Sequence, residues 1–366
     1  MSAARTGTLG AHTAGQLRRL CALTGLDPAD TQTYADVLTT ALGGAAGRPL
    51  DLPPPSGTFL SDDHTPVEFS LSFTAGAAPS LRVLLEPGCG AGSLERGGRT
   101  ALAVVREMAR RWDFSTERLD GLRDLLLPPA PHGPLALWIA LELRRGGVPK
   151  VKVYLNPSAS GPERAAHTVR EALRRLGHER AFDALPPADG YPFLALDLGD
   201  WEAPRAKVYL MHRDLSATEA AGLARTAPLP PADGLAAFFR AVAGPAAERG
   251  LDRRPGLTCH AFTDPGSGRP SGFTLHIPVR DYVRHDGEAL DRAAGVLTAH
   301  GIDPDPLVRA LPALTARRPQ DGVGLIAYLA LAHQAGAPPR LTAYVSSEAY
   351  AVRSPVPARP AAEPVH

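Results

Sequence analysis

Five stretches of this chain repeat one plan: a strand, a Gly- or Pro-containing turn, and a second strand. They are residues 65–87 (TPVEFSLSFTAGAAPSLRVLLEP), 133–157 (GPLALWIALELRRGGVPKVKVYLNP), 191–212 (YPFLALDLGDWEAPRAKVYLMH), 255–278 (PGLTCHAFTDPGSGRPSGFTLHIP) and 323–347 (VGLIAYLALAHQAGAPPRLTAYVSS). Helical periodicity fills the gaps. Leu119, Leu122, Leu125 and Leu126 share a face within 115–127. Pro162 opens a helix that Gly177 follows, and Ser216 with Glu219 makes a capping box. Leu235, Phe238, Phe239 and Val242 form the next stripe, and residues 288–300 make a helix closed by Gly301. The unit is helix, helix, strand, strand, repeated at about 55–70 residues.

A unit of this length buries its apolar face only against its neighbours. Ten strands in five consecutive hairpins are expected to close into a ten-stranded antiparallel β-barrel surrounded by helices, an α+β fold without exposed edges. Ten strands enclose a lumen wider than side chains fill. The even spacing predicts one domain over residues 13–352, with residues 1–12 and 353–366 disordered.

Composition narrows the function. The 366-residue chain carries a formal net charge of +1, so no global field points to nucleic acid or an acidic membrane. No apolar run is long enough for a membrane span, and the N-terminus lacks the layout of a signal peptide. The expectation is a cytoplasmic, soluble monomer or homodimer. Cys21, Cys89 and Cys259 are too few and too scattered for a disulfide framework or a zinc site. The twelve histidines show no ligand spacing, so no metal is expected. Arginine has almost displaced lysine: only Lys150, Lys152 and Lys207 remain among 39 basic residues. Positions that keep lysine in such a chain are positions that use a compact ammonium.

Aligning the second strands of the hairpins places Arg82, Lys152, Lys207, Thr274 and Thr342 in one register. Two residues on come Leu84, Tyr154, Tyr209, His276 and Tyr344; two back come Ser80, Lys150, Arg205, Gly272 and Arg340. Residues two apart share a face, so one barrel surface carries cations and phenols. The alternate positions are mostly aliphatic and suit packing against helices. The polar face is therefore expected in the lumen. Several cations can hold a polyanion such as diphosphate without a bridging metal. Stacked phenols can shield a carbocation from water, each by about 2 kcal/mol or more when desolvated.

Six segments carry a resemblance to a known family: TPVEFS (65–70), RVLLEPG (82–88), KVYLNP (152–157), RAKVYL (205–210), TLHIPVRDY (274–282) and RLTAYVS (340–346). Over residues 13–352 the chain resembles aromatic prenyltransferases of the dimethylallyltryptophan-synthase type, in their bacterial branch. The resemblance implies transfer of a dimethylallyl group from dimethylallyl diphosphate to the indole of L-tryptophan, at carbon 6 in some relatives, without magnesium or another cofactor. A tryptophan-containing cyclic dipeptide or another indole is the alternative acceptor. Glu68 is implied to accept a hydrogen bond from the indole N–H. Arg82, Lys152, Arg205, Lys207 and Arg340, with Thr274, are implied to bind diphosphate. Tyr154, Tyr209 and Tyr344, with His276, are implied to shield the cation. Thr274 and His276 stand where the fungal pattern has Gln and Tyr. Glu68, Glu142, His276 and the leaving diphosphate are candidate proton acceptors, and Trp138 is either a wall of the indole pocket or part of the core.

Two other readings were weighed. EPGCGAG (86–92) fits the glycine-rich loop of S-adenosylmethionine-dependent methyltransferases, which requires alternating strands and helices. That alternation is absent. A non-catalytic binding barrel leaves three phenols beside five cations unexplained. No magnesium-binding DDxxD, no G-x-S-x-G and no HExxH motif occurs.

Overall fold

The computed structural model describes residues 7–202 and 204–357. Ten strands form a closed antiparallel barrel in which each strand pairs with its sequence neighbour and β1 pairs with β10. They are β1 (Val67–Thr74), β2 (Ser80–Leu85), β3 (Leu137–Glu142), β4 (Lys150–Leu155), β5 (Gly190–Leu198), β6 (Ala206–His212), β7 (Gly256–Phe262), β8 (Gly272–Ile277), β9 (Ile326–Gln334) and β10 (Arg340–Ser346). These are the five expected hairpins. Closure runs through Phe69 opposite Val345 and Ser70 opposite Tyr344, so no strand edge is left open.

Period-two alternation sorts side chains into two cores. Val83, Val151, Val153, Val208, Leu210, Leu275, Ile277, Leu341 and Ala343 are buried outward, with Leu102, Val169, Phe239 and Leu297 of the surrounding helices. A second, smaller cluster lies inside the barrel: Leu60, Leu135, Trp138, Phe193, Ala195, Tyr209 and Cys259. Trp138 thus belongs to the lumen.

Three sequence expectations change in detail. The helix expected over 115–127 is two short turns, Glu117–Asp120 and Arg123–Leu126, interrupted at Gly121 and Leu122. Glycine loses most entropy in a helix, and the break there keeps Leu119, Leu122 and Leu126 buried. The helix after Pro162 begins regularly only at Ala165, after a short 3₁₀ turn. The termini are more ordered than expected. Leu9–Leu23 is a helix, so Leu9 to His12 are not disordered; buried Gln16 ties it down by donating to the Leu314 and Ser347 carbonyls, both at 2.8 Å. Arg353 forms a bridge with Val323 and an ion pair with Asp281 at 3.2 Å. Residues 1–6 and 358–366 of the expected disorder lie outside the described residues.

The EPGCGAG segment does follow a strand and lead into a helix, Leu94–Trp112, capped by Ser93. The next strand, however, returns antiparallel to β2. The parallel crossover of a nucleotide-binding loop is missing. No helix of the described residues is long and apolar enough to cross a membrane.

Candidate active site

Alternation along β2, β4, β6, β8 and β10 sends the polar register inward, and closure brings it together. Arg82 faces Ser70 and Glu142; Lys152 faces Ala140 and Asp197; Lys207 faces Ala195 and Ala261. Arg205, Lys207, Thr274 and Arg340 line one cavity of about 150 Å³. Arg82 reaches Arg340 electrostatically, so the five cations from four strands and one turn form a continuous group at one end of the lumen.

Two carboxylates absent from the expected diphosphate-binding set hold this group together. Glu142 accepts from Arg82 Nε at 2.8 Å. Asp197, whose side chain is fully buried, accepts from Arg205 Nε at 2.7 Å and lies 3.5 Å from Lys152 Nζ. Burial pushes both carboxyls up, but the cations outweigh it. Arg82, Lys152 and Arg340 hold Glu142 down at about 2; Lys152, Lys207 and Arg205 do the same for Asp197. Conversely, burial first and the Lys152 charge second push the Lys207 ammonium well below the usual lysine range. For Arg340 the Arg82 charge is the larger cause, lowering the guanidinium to about 10. The buried Nε of Arg340 has no hydrogen-bond partner among the described residues. Five cations thus share two carboxylates.

Trp201, on the β5–β6 turn, supplies a further contact. Its ring lies 4.9 Å from Lys150 Nζ, 5.0 Å from Lys152 Nζ and 4.7 Å from the Arg205 guanidinium. Its indole N–H donates to the Val151 carbonyl at 2.7 Å. Asp197 carries a readable signal, since L-A-L-D-L puts it on the lumen face. Trp201 carries none, because a turn has no periodicity.

Deeper in, rings follow one another. Centroids are 5.7 Å apart for Tyr154–Tyr209, 5.7 Å for Tyr209–His276 and 5.8 Å for His276–Tyr344. The arc extends through Phe193 to Trp138 at 5.3 Å, and from Tyr344 to Tyr328 at 6.4 Å. Phe193 and Tyr328 were not among the expected residues; each sits on a first strand, opposite Tyr209 and Tyr344. Burial pushes the Tyr209 and Tyr344 phenols up and the His276 imidazole down to about 3. Tyr209, His276 and Tyr344 are therefore uncharged at neutral pH. An imidazolium would repel a carbocation; a neutral ring attracts it.

Glu68 occupies the same barrel, on β1 between Leu84 and Ser346. It is 7 % exposed, and burial raises its carboxyl to about 8 against the weaker opposing pull of Arg280. A raised carboxyl binds a proton in the native state that the unfolded chain has released. Stability is thus expected to fall as pH rises from about 4.5 to about 8, and to level off above. Urea denaturation of wild type and Glu68→Gln across that window would show the slope in wild type alone; parallel curves would reject the shift.

A tryptophan dimethylallyltransferase profile matches residues 11–224. The structure superposes on that of the prenyltransferase PriB in ternary complex with L-tryptophan and dimethylallyl thiolodiphosphate, with a TM-score of 0.95 and 62 % identity over 97 % of this chain and 100 % of that one. It matches 5-dimethylallyl tryptophan synthase from Streptomyces coelicolor with a TM-score of 0.93 and 66 % identity, over 97 % and 99 % of the two chains. For 6-dimethylallyltryptophan synthase from Micromonospora olivasterospora the TM-score is 0.87 and identity 36 %, over 95 % and 100 %. With sequence profile, barrel and near-complete coverage in agreement, the chain belongs to the tryptophan dimethylallyltransferase family.

Proposed function

We propose that this enzyme transfers the dimethylallyl group of dimethylallyl diphosphate to the six-membered ring of the L-tryptophan indole. The observation that carries the reading is the stacking of two layers in one lumen: crowded cations at one level, uncharged rings at the next. Glu68 stands beside them.

The chemistry follows from the layers. Arg82, Lys152, Arg205, Lys207 and Arg340, with the Thr274 hydroxyl, take the diphosphate. They stabilise the charge that grows on it as the allylic C–O bond breaks and the electron pair leaves with the phosphate. The dimethylallyl cation forms among Tyr154, Tyr209, His276 and Tyr344, whose π faces stabilise it and whose bulk excludes water. Glu68 accepts the indole N–H and makes the ring more electron-rich. A ring carbon forms the new C–C bond, the arenium loses its proton, and aromaticity returns. Of the groups at this level, the neutral His276 imidazole and the departing diphosphate are free to accept that proton. Glu142 is engaged by Arg82.

Because the cations are built into the wall, magnesium is not required on this reading. Incubating the protein with dimethylallyl diphosphate, L-tryptophan and EDTA is expected to add one C5H8 unit by mass spectrometry, at a rate that added magnesium does not raise more than about twofold. Strict dependence on magnesium would overturn the diphosphate assignment. Proton NMR of the product reports the position. Carbon 6 is the position the sequence resemblance gives for some relatives, and carbon 5 is the position named for the 66 %-identical synthase.

A further inference from the structure

At the hairpin end of the lumen, the cations are covered by a side chain that the reaction as described does not use. Trp201 lies on the turn between β5 and β6, half-buried, with its ring within 5.0 Å of Lys150, Lys152 and Arg205. The Lys152 and Arg205 side chains are only 7 % and 12 % exposed. The ring is fixed in place. Its N–H donates to the carbonyl of Val151, which pairs with Leu198 at the end of β5. The Trp201 backbone N–H donates to the Gly199 carbonyl at 2.9 Å, and Gly199 takes the left-handed φ of +82° that this tight turn requires. The neighbouring Asp200 pairs with Arg144, beyond the end of β3, at 2.7 Å. Under the ring, Arg205 reaches across to Gln334 of β9 at 3.3 Å and lines the 150 Å³ cavity with Lys207, Thr274 and Arg340.

We propose that Trp201 is a positioning residue and a seal for the donor: it holds Lys152 and Arg205 towards the diphosphate and closes the hairpin end of the lumen to water while the allylic cation exists. The inference rests on the prenyltransfer reading above. Among the described residues, the one carboxylate paired with Lys152 and Arg205 is Asp197. Long cationic side chains beside an exposed turn otherwise extend their heads into water. A second carboxylate would hold them but would repel the diphosphate. An aromatic face attracts cations without adding a charge. The seal matters because water competes with the acceptor. When water captures the dimethylallyl cation, its oxygen forms the new C–O bond, a proton passes to the diphosphate, and the donor is lost as a five-carbon alcohol. The ratio of alcohol to prenylated tryptophan therefore reads the seal directly.

The test incubates wild type, Trp201→Ala and Trp201→Phe with dimethylallyl diphosphate and L-tryptophan and quantifies both products by chromatography. Each protein is also titrated calorimetrically with inorganic diphosphate. Trp201→Ala is expected to raise the alcohol ratio and to weaken diphosphate binding, each by about tenfold, as the cation–π contacts to Lys152 and Arg205 are lost. Trp201→Phe keeps a ring face without the indole N–H and is expected to recover most of both. Asp200→Asn leaves the ring intact but loosens the turn, and is expected to raise the ratio by less. A merely structural role would lower Tm and total turnover but not the ratio, which compares two fates of one cation in the same folded molecules. An unchanged ratio in Trp201→Phe, Trp201→Ala and Asp200→Asn therefore overturns the seal, with the prenyltransfer reading intact. Trp201→Phe matching Trp201→Ala would overturn its cation–π basis. A wild type that prenylates no tryptophan would overturn the prenyltransfer reading and the seal together.

Discussion

Glu68→Gln is expected to lower kcat/KM for L-tryptophan by about 10²–10³ while the fold and donor binding persist. The glutamine keeps the shape and can still accept a hydrogen bond through its carbonyl. It cannot carry the negative charge that strengthens the bond as the indole N–H becomes acidic in the arenium. That difference grows in the transition state, so the loss falls on kcat more than on KM. The raised carboxyl adds a signature: wild-type kcat/KM is expected to climb with pH towards about 8, and the variant to lose that limb. Calorimetric titration with dimethylallyl thiolodiphosphate separates donor binding from chemistry. A variant with wild-type turnover would remove Glu68 from the mechanism.

The second large effect is on stability. Asp197 is wholly buried among Lys152, Arg205 and Lys207, and Asp197→Asn leaves those charges without their common counter-ion. Removing one partner of such a cluster costs about 3–5 kcal/mol, equivalent to a Tm lower by roughly 4–7 °C. Part of the cost is relieved where Lys207, already pushed down, gives up its proton, so the loss is expected to shrink as pH rises. Diphosphate binds the native state and supplies the missing negative charge. It is expected to raise Tm more in the variant than in wild type. Equal diphosphate shifts in the two proteins, or an unchanged Tm in the variant, would mean the cations do not share one electrostatic site.

The link between these predictions is a lumen whose buried charges are held by one another. Glu142 and Asp197 hold the cations in place, and Trp201 gives two of them, Lys152 and Arg205, a common surface with Lys150. On the proposed reading such a site is preorganised: little needs to reorient as charge develops on the leaving group.

Local pattern in the sequence determined the ten strands and which face of each is polar. K-x-Y in β4 and β6, T-x-H in β8 and T-x-Y in β10 depend only on the two-residue period of a strand, so they are readable one segment at a time. The capping box at Ser216 and Glu219 is equally local, and the structure contains it. Convergence is not local. That Arg82 meets Glu142 from 60 residues away depends on how neighbouring strands align across the barrel. So does the fact that Tyr344 meets His276, 68 residues away in sequence. Trp201 could not be read at all, because a turn residue is placed by the strands it joins. The break at Gly121 and the helix at Leu9 were decided by what their leucines could bury against, which only the closed barrel and its helical coat define. The sequence by itself determined strands and faces; the tertiary structure decided which charges are paired, because pairing is set by register between segments and register is a property of the closed sheet.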